Sequence, residues 1–565
     1  MKLPKMWLLN NLFRNIAFFL LFFCLNSQAN SQVWEKAFFF ETECSGVTVS
    51  VLDADENIYV AGEYCGRLTI QNQLIESKGQ TDLFVAKFDK DLNLKSLVSF
   101  GDTGVEIIGK IALDLDGNIL LSGYFTHQLI IDTLNLLSYG GSDYFVAKFD
   151  TLFKSYWALS FGTKNDDAKV AAFGGLAVDS KNNIICTSQF TVISETDTLK
   201  VADTVLFGKL EKDAFLASIT LDGKVRWASV FSGKGYEHTT SVDLDMENNI
   251  FLAIDATGRI YYDNQQYDNP HIGEQNVVFK IDGSTGKVIW HWGFYEKEFG
   301  SLYMPGPSLD SFGNVYVVGG YYCRVVDVGG VILSEPFDPG DFKTFVAKIG
   351  SSGKTHWVKQ IVGHNPGVDY VFSKNSNEIF VSGNYYDICI YEGDTVGYLG
   401  QRIYQGYLLK IDSLGKPQYF GTTSGTASAN ISQVSSFQNG DIFILGSARK
   451  GNLAFNNATQ LMMSSDYNVF IAVGNTDSIE ASISSEIIEK NANIYPNPCN
   501  NELIVDFAQP FGEVAFYNIV GHKILETKLK FGKNRIDTSL LLNGVYQVEI
   551  KDIANRISHF SIIKL

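Results

Sequence analysis

Seven times along the chain a start that is usually Asp leads through a tight polar turn into an apolar run that usually closes on Gly. The copies run Asp53 to Gly62, Asp114 to Gly123, Asp179 to Ser188, Asp245 to Ile254, Asp310 to Gly319, Lys374 to Gly383 and Phe437 to Gly446. Their turn-end residues, Asn57, Asn118, Asn183, Asn249, Asn314, Glu378 and Asp441, are spaced by 61 to 66 residues. A period that regular predicts a repeat architecture in which each unit covers its neighbour's apolar face.

Two further landmarks recur and complete a unit of four strands. An alternating segment follows, such as Leu83 to Asp89, Tyr144 to Asp150, Thr344 to Gly350 or Tyr407 to Asp412. Period-two alternation predicts a strand with one buried face. A Gly-Lys turn then leads to an aromatic position: Trp227, Trp290, Trp357 and Tyr419, with Trp157 and Leu97 in looser copies. Before each turn lies a short apolar stretch, for example Val47 to Leu52, which would be the innermost strand.

The ends of the array are offset from the ends of a unit. It opens with a lone aromatic strand, Val33 to Phe40, and finishes at Asn468 to Gly474 without that strand. Pairing the two would close a circle and remove open sheet edges. The expected fold is all-β: a seven-bladed β-propeller over 30–475, closed by its N-terminal strand.

The string Asp-x-x-Gly-Asn-Ile-x-x-x-Gly, then Phe-Val-Ala-Lys-Phe-Asp and a Gly-Lys-x-x-Trp strand, resembles the bacterial propeller repeats called SBBP repeats. The match is clearest at 110–150 and 310–357, while Ser188 replaces the strand-end Gly and the sixth and seventh turns lack the leading Asp. That resemblance implies a fold and little chemistry.

Residues 1–29 carry Lys2, Lys5 and Arg14, then the apolar run Ile16 to Leu25, and reach Ser27-Gln28-Ala29. The pattern predicts a signal peptide cut after Ala29, with Ser31 the second choice. The run is too short for a comfortable membrane span, so the mature chain is expected to have none. Phe23 stands before Cys24 where a lipoprotein signal needs a small residue. The formal charge of −17 becomes −20 without the signal. Such an acidic surface repels phosphate backbones, which excludes nucleic acid as the expected partner.

A polar Ser- and Glu-rich linker, 476–493, leads to a second domain at 494–565, a small β-sandwich built from Glu502 to Phe507, Glu513 to Ile519, Lys523 to Phe531, Gly544 to Lys551 and Arg556 to Leu565. Its opening Tyr495-Pro496-Asn497-Pro498, the segment LLNGVYQVEI and the terminal IIKL resemble the C-terminal sorting domain of type IX secretion substrates in the Bacteroidetes. The resemblance implies handling by the type IX machinery and export to the surface or medium. By position, Pro496 and Pro498 shape the entry turn, Gly544 and Tyr546 sit in the penultimate strand, and Lys564 is the terminal basic residue. His559 stands where Lys is common, and Asn555 where a turn Gly is common.

Candidate chemistry is sparse. The paired acids Asp53/Asp55, Asp114/Asp116 and Asp243/Asp245 would suit calcium, yet Lys181 and Phe312 take such positions in sister repeats. An Asp side chain stabilising a hairpin turn is the favoured reading. Lys280 to Trp290 resembles a quinoprotein propeller repeat but occurs once. The histidines form no HxxxH or HExxH pair, and no GxSxG elbow or phosphate loop is present. No cofactor, metal site or catalytic residue is expected. The repeated Trp reads as packing between blades more than as a carbohydrate ladder.

Cys44 and Cys65 fall on one face and are expected to form a disulfide in an exported chain. Cys323 and Cys389 end equivalent strands and form a second candidate pair, while Cys186 reads as a core thiol. Function is expected in the segments joining second and third strands, such as Gly66 to Thr81 and Arg324 to Lys343, as long variable loops on a rigid ring. The leading expectation is a secreted or cell-surface binding module for a glycan, a matrix component or a protein. The alternatives are a lyase- or lactonase-like enzyme using the central channel, which apolar strand ends such as Ile111-Ala112-Leu113 disfavour, and a structural surface-layer component.

Overall fold

The structure is a computed structural model. It describes residues 34–44, 48–167, 174–194, 196–201, 204–209, 211–233, 235–267, 273–297, 300–334, 342–363, 365–386, 388–391, 394–398, 403–455, 459–475, 492–495, 500–517, 523–539, 541–542, 544–552 and 557–564. The expected signal peptide, residues 476–491 of the linker, and Pro496, Asn497 and Pro498 lie outside the described residues. Among those described, every regular element is a β-strand.

Each period folds as an antiparallel four-stranded sheet. Unit 1 orders Thr48–Leu52, Ile58–Tyr64, Asp82–Phe88 and Leu94–Phe100. Units 2, 3, 4 and 6 repeat that order from Glu106–Leu113, Gly175–Val178, Glu237–Leu244 and Gly367–Asn375. In unit 5 the first strand is split into Leu302–Tyr303 and Pro307–Leu309. Pro305 and Pro307 lack the N–H that an unbroken ladder needs. Unit 7 takes three strands, Ala429–Ser436, Ile442–Ala448 and Asn468–Gly474, from the end of the array, and its fourth, Trp34–Glu41, from the beginning. That fourth strand pairs antiparallel from Trp34 opposite Gly474 to Glu41 opposite Asn468.

Neighbouring sheets share apolar cores. Unit 1 packs Leu83 and Val85 against Ile108, Leu121 and Phe145 of unit 2. The alternate residues Phe84, Ala86 and Phe88 of the same strand pack against Phe443, Val469 and Ile471 of unit 7. The third strand is therefore buried on both faces, not on one as its alternation suggested, because a sheet flanks it on either side. Five more cores join units 2 through 7 in succession. First strands touch in the same order, and the last meets the first. Gln433 Nε2 donates to the Ser50 carbonyl at 2.9 Å, and the Gln438 N–H donates to Glu56 Oε1 at 2.8 Å.

The segments between second and third strands are not free loops. Most form hairpins that reach back and extend the preceding sheet: Arg67–Ile70 with Gln73–Glu76 beside Trp34–Glu41, Thr198–Val201 with Thr204–Phe207 beside Ser155–Gly162, and Val325–Val328 with Val331–Ser334 beside Val288–Glu296. Each covers part of an outer edge that would otherwise invite association.

The C-terminal unit is one five-stranded sheet around its own core of Leu503, Val505, Phe507, Val514, Phe516, Leu529, Val548 and Ile550 among others. Two strands expected to be separate are joined in Glu502–Tyr517, with a register break between Phe507 and Phe511. One half pairs with Ala492–Tyr495 and the other with Gly544–Asp552.

Candidate functional site

The repeated Asp is a turn-builder. Asp114 Oδ1 accepts from the N–H groups of Asp116 and Asn118 at 2.9 and 2.8 Å, and Oδ2 accepts from Asn118 Nδ2 at 2.9 Å. Lys148 from the third strand adds an ion pair at 2.6 Å with both side chains buried. Burial alone would raise the Asp114 carboxyl, but Lys148 and Asn118 together hold it below its usual value. Lys87, Lys280 and Lys410 meet Asp53, Asp245 and Glu378 in the same way, at 3.4, 2.9 and 2.7 Å. In these four units a lysine ammonium supplies the positive charge beside the carboxylate.

The repeated Trp spans sheets. Trp157, Trp290 and Trp357 donate from Nε1 to the carbonyls of Leu221, Ser351 and Ser413 in the following unit, at 3.0, 3.0 and 3.1 Å. Each ring lies over a turn glycine, Gly223, Gly353 or Gly415, where an added Cβ would come within about 3.3 Å of the indole. Those glycines have φ of 83°, 83° and 76°, a conformation that L side chains rarely adopt. Trp227 Nε1 has no partner among the described residues. The turn it would reach, Asp282 to Gly286, is one residue longer.

Cys44 and Cys65 are joined, with Cα atoms 5.8 Å apart. The bond ties the segment leaving the N-terminal strand to the second strand of unit 1. Cys323 and Cys389, expected as a second pair, are both buried and are not joined to each other. The sheet of unit 5 separates them, since Cys323 belongs to the core between units 4 and 5 and Cys389 to that between units 5 and 6. Cys186 is a buried thiol in the core between units 2 and 3.

At successive junctions on the face that carries the sheet-to-sheet connections, carboxyl groups stand in pairs. Gly101 lies against both Asp82 and Glu106; a Cβ there would be 2.7 Å from Asp82 Cγ and 2.8 Å from Glu106 Oε2. Burial first, and the nearby Asp82 charge second, push Glu106 up to about 8. Burial raises Asp143 and Asp167 to about 7 each. Burial and the facing Asp213 push Glu237 up to about 10, while burial raises Asp213 to about 6.

Units 5 to 7 place amides on the same face, and a groove of ≈ 670 Å³ opens among them. Asn384 Nδ2 donates to Asn430 Oδ1 at 3.1 Å across units 6 and 7. Tyr404 and Tyr467, 39% and 46% exposed, stand in its wall with the exposed Arg449 and Asp466. A second cavity of ≈ 740 Å³, lined by Phe38, Arg67 and Gln71, shares Thr42, Asp466 and Tyr467 with the first. No motif marks these residues; only the register of the repeat brings strand ends from three units to one place.

The first strands also carry polar residues, among them Asp243, weighed above with Asp245, and His238, and also Lys110 and Asp369, which sequence reasoning passed over. Burial lowers Lys110 and raises Asp243 and Asp369 to about 6 each. Asp369 occupies a register break between Val368 and Tyr370, an irregularity that re-aims a side chain.

In the sorting unit, Gly544 pairs with Lys564 and Tyr495 with Ile504. Tyr546 is buried and donates from its hydroxyl to the Leu542 carbonyl at 2.9 Å. Lys564 is buried at the end of the last strand.

Residues 493–564 match the family described as secretion system C-terminal sorting domain. A C-terminal sorting domain of this kind implies handling by the type IX machinery and export to the cell surface or beyond. Among the described residues no helix is long and apolar enough to cross a membrane. No curated protein matches the chain. Among solved structures it is similar to an extracellular domain assigned to a one component system of B. thetaiotaomicron, at 12% identity over 91% of this chain and 79% of that one, with a TM-score of 0.19. It is similar also to PorZ, a surface component of the type-IX secretion system of Porphyromonas gingivalis, at 9% identity over 91% of each chain, with a TM-score of 0.15. Scores this low carry no argument about fold detail or activity.

Proposed function

We propose that residues 30–475 are a seven-bladed β-propeller of SBBP type, closed by the N-terminal strand, that binds an extracellular ligand without turning it over. Support for the ring comes from the seven shared cores, the pairing of Trp34–Glu41 with Asn468–Gly474, and the bonds from Gln433 to Ser50 and Gln438 to Glu56. The binding reading rests on one observation. The groove over units 5 to 7 joins exposed tyrosine rings to amides held in place by the ring. Large concave sites with a few convergent polar groups are the ordinary form of a ligand site.

A screen of the purified full chain against glycans, matrix polymers and proteins tests this, with Tyr404→Ala as the groove variant and product release assayed alongside. Binding weakened by that substitution, with no product formed, is the expected outcome. Turnover abolished by Lys110→Met or Asp369→Asn would transfer the function to the channel and make the protein an enzyme.

A further inference from the structure

We infer that the occupant is an extended, uncharged polysaccharide strand that runs through both cavities and crosses Tyr467 where they meet. This rests on the groove being the binding site proposed above.

Length is the first argument. Each cavity alone, ≈ 670 and ≈ 740 Å³, is of the size that encloses a whole small ligand. Because Thr42, Asp466 and Tyr467 line both, the two form one trough leading from the top of units 6 and 7 to the outer strand Trp34–Glu41. A trough that continues past a single ligand's length suits a polymer.

Lining chemistry is the second. With Asn365 Oδ1 held by the Phe342 N–H and Asn384 Nδ2 by Asn430 Oδ1, the Asn365 Nδ2, the Asn384 Oδ1 and the hydroxyls of Ser428 and Ser447 supply both donors and acceptors. Sugar hydroxyls are likewise donor and acceptor at once, whereas a carboxylate or sulfate only accepts. Tyr404 and Tyr467 present rigid rings of the kind that cover the C–H face of a pyranose, and Tyr386 braces Tyr404 with ring centroids 5.2 Å apart.

Charge is the third. Arg449 and Asp466 both line the first cavity and balance in charge, and Arg67 in the second is spent on Glu76 at 2.9 Å. Neither cavity offers the surplus positive charge that an acidic polysaccharide needs, and a chain of net charge −17 repels one at a distance.

The test uses the full chain with neutral cello-, xylo-, manno- and malto-oligosaccharides of two to eight sugars, polygalacturonate as the acidic probe and gelatin as an extended peptide. At least one neutral series should bind with affinity that climbs about tenfold or more from two to six sugars, and Tyr467→Ala should remove about tenfold of it at an unchanged melting temperature. Affinity flat beyond two sugars, failure of every neutral series, or preference for polygalacturonate lost in Arg449→Gln would each overturn the inference. Gelatin binding that depends on Tyr467 would overturn it too while leaving the groove as the site. Neutral glycan binding indifferent to both Tyr404→Ala and Tyr467→Ala would instead overturn the groove itself.

Discussion

Trp157 of unit 2 donates its indole N–H to the Leu221 carbonyl of unit 3 at 3.0 Å, while its ring covers Gly223. Packing and a hydrogen bond thus act at the same junction. Trp157→Phe keeps most of the packing and should cost about 1 kcal/mol, the usual net value of one such bond. Trp157→Ala should cost about 2–4 kcal/mol, toward the lower end for large-to-small changes because the ring is only half-buried. Gly223→Ala, which strains a φ of 83° and pushes a methyl into the indole, should destabilise as well. Denaturant midpoints of the three variants check the order; a Trp157→Phe loss equal to that of Trp157→Ala would deny the ring its packing role.

The Cys44 to Cys65 bond closes a loop of 21 residues and should contribute about 3 kcal/mol by restricting the unfolded chain. Reduction or Cys44→Ser is expected to lower the melting temperature. Non-reducing peptide mapping should find Cys186, Cys323 and Cys389 unmodified in the native protein and alkylated only after unfolding, as buried thiols are. Alkylation of native Cys44 would break the assignment.

What was legible in the chain was what local chemistry writes. The Asp-to-Asn turn, the alternating strand and the Gly-Lys turn each encode their own geometry, so strand order and period followed from spacing. Pairing of Trp34–Glu41 with Asn468–Gly474 was legible because a strand was missing at one end and spare at the other. Contacts between units were not legible. Arg67–Ile70 alternates as any strand does, and nothing local says that it leaves its own sheet for the preceding one. Cys323 and Cys389 looked equivalent by register, but a sheet has two faces and theirs open into different cores. Asn384 and Asn430 meet only because two units are stacked, so no motif could announce the groove.

Stability should fall as pH rises. Glu106, Asp143, Asp167, Asp213 and Glu237 are all raised above the carboxyl range of an unfolded chain, near 4. The folded protein therefore binds more protons than the unfolded one above that pH. Their contribution is fully present below about pH 4 and is lost as pH climbs through about 6 for Asp213, 7 for Asp143 and Asp167, 8 for Glu106 and 10 for Glu237. Melting curves between pH 5 and 9 in roughly constant salt should show the decline. Glu106→Gln should flatten it, since a neutral amide has no proton to lose; an unchanged slope would remove Glu106 from the account.

Deleting residues up to 43 removes the strand that carries Trp34 and Phe40, which are buried in the two cores flanking unit 7. Each large side chain contributes about 1.5–3 kcal/mol by burial, and the exposed edge of Asn468–Gly474 is left unpaired. A chain starting at residue 44 should aggregate or melt far lower. Retention of melting temperature and soluble yield would reject the closure.

Deletion of residues 493 to 565 should have the opposite character. The core of the sorting unit runs from Ala492 to Ile550, and among the described residues none of the seven cores of the repeat array uses one beyond Val473. Loss of the domain therefore removes almost no packing from the array, and the truncated chain should fold with its disulfide and melt within a few degrees of the whole. What it loses is the address. The segment matched as a sorting domain covers 493–564, so the truncated protein should accumulate in the periplasm as folded, protease-resistant material. Fractionation with a melting assay on each fraction separates the two effects. Normal levels of truncated chain in the medium would mean that export does not depend on this domain, and an unfolded periplasmic product would mean that the array depends on it for stability.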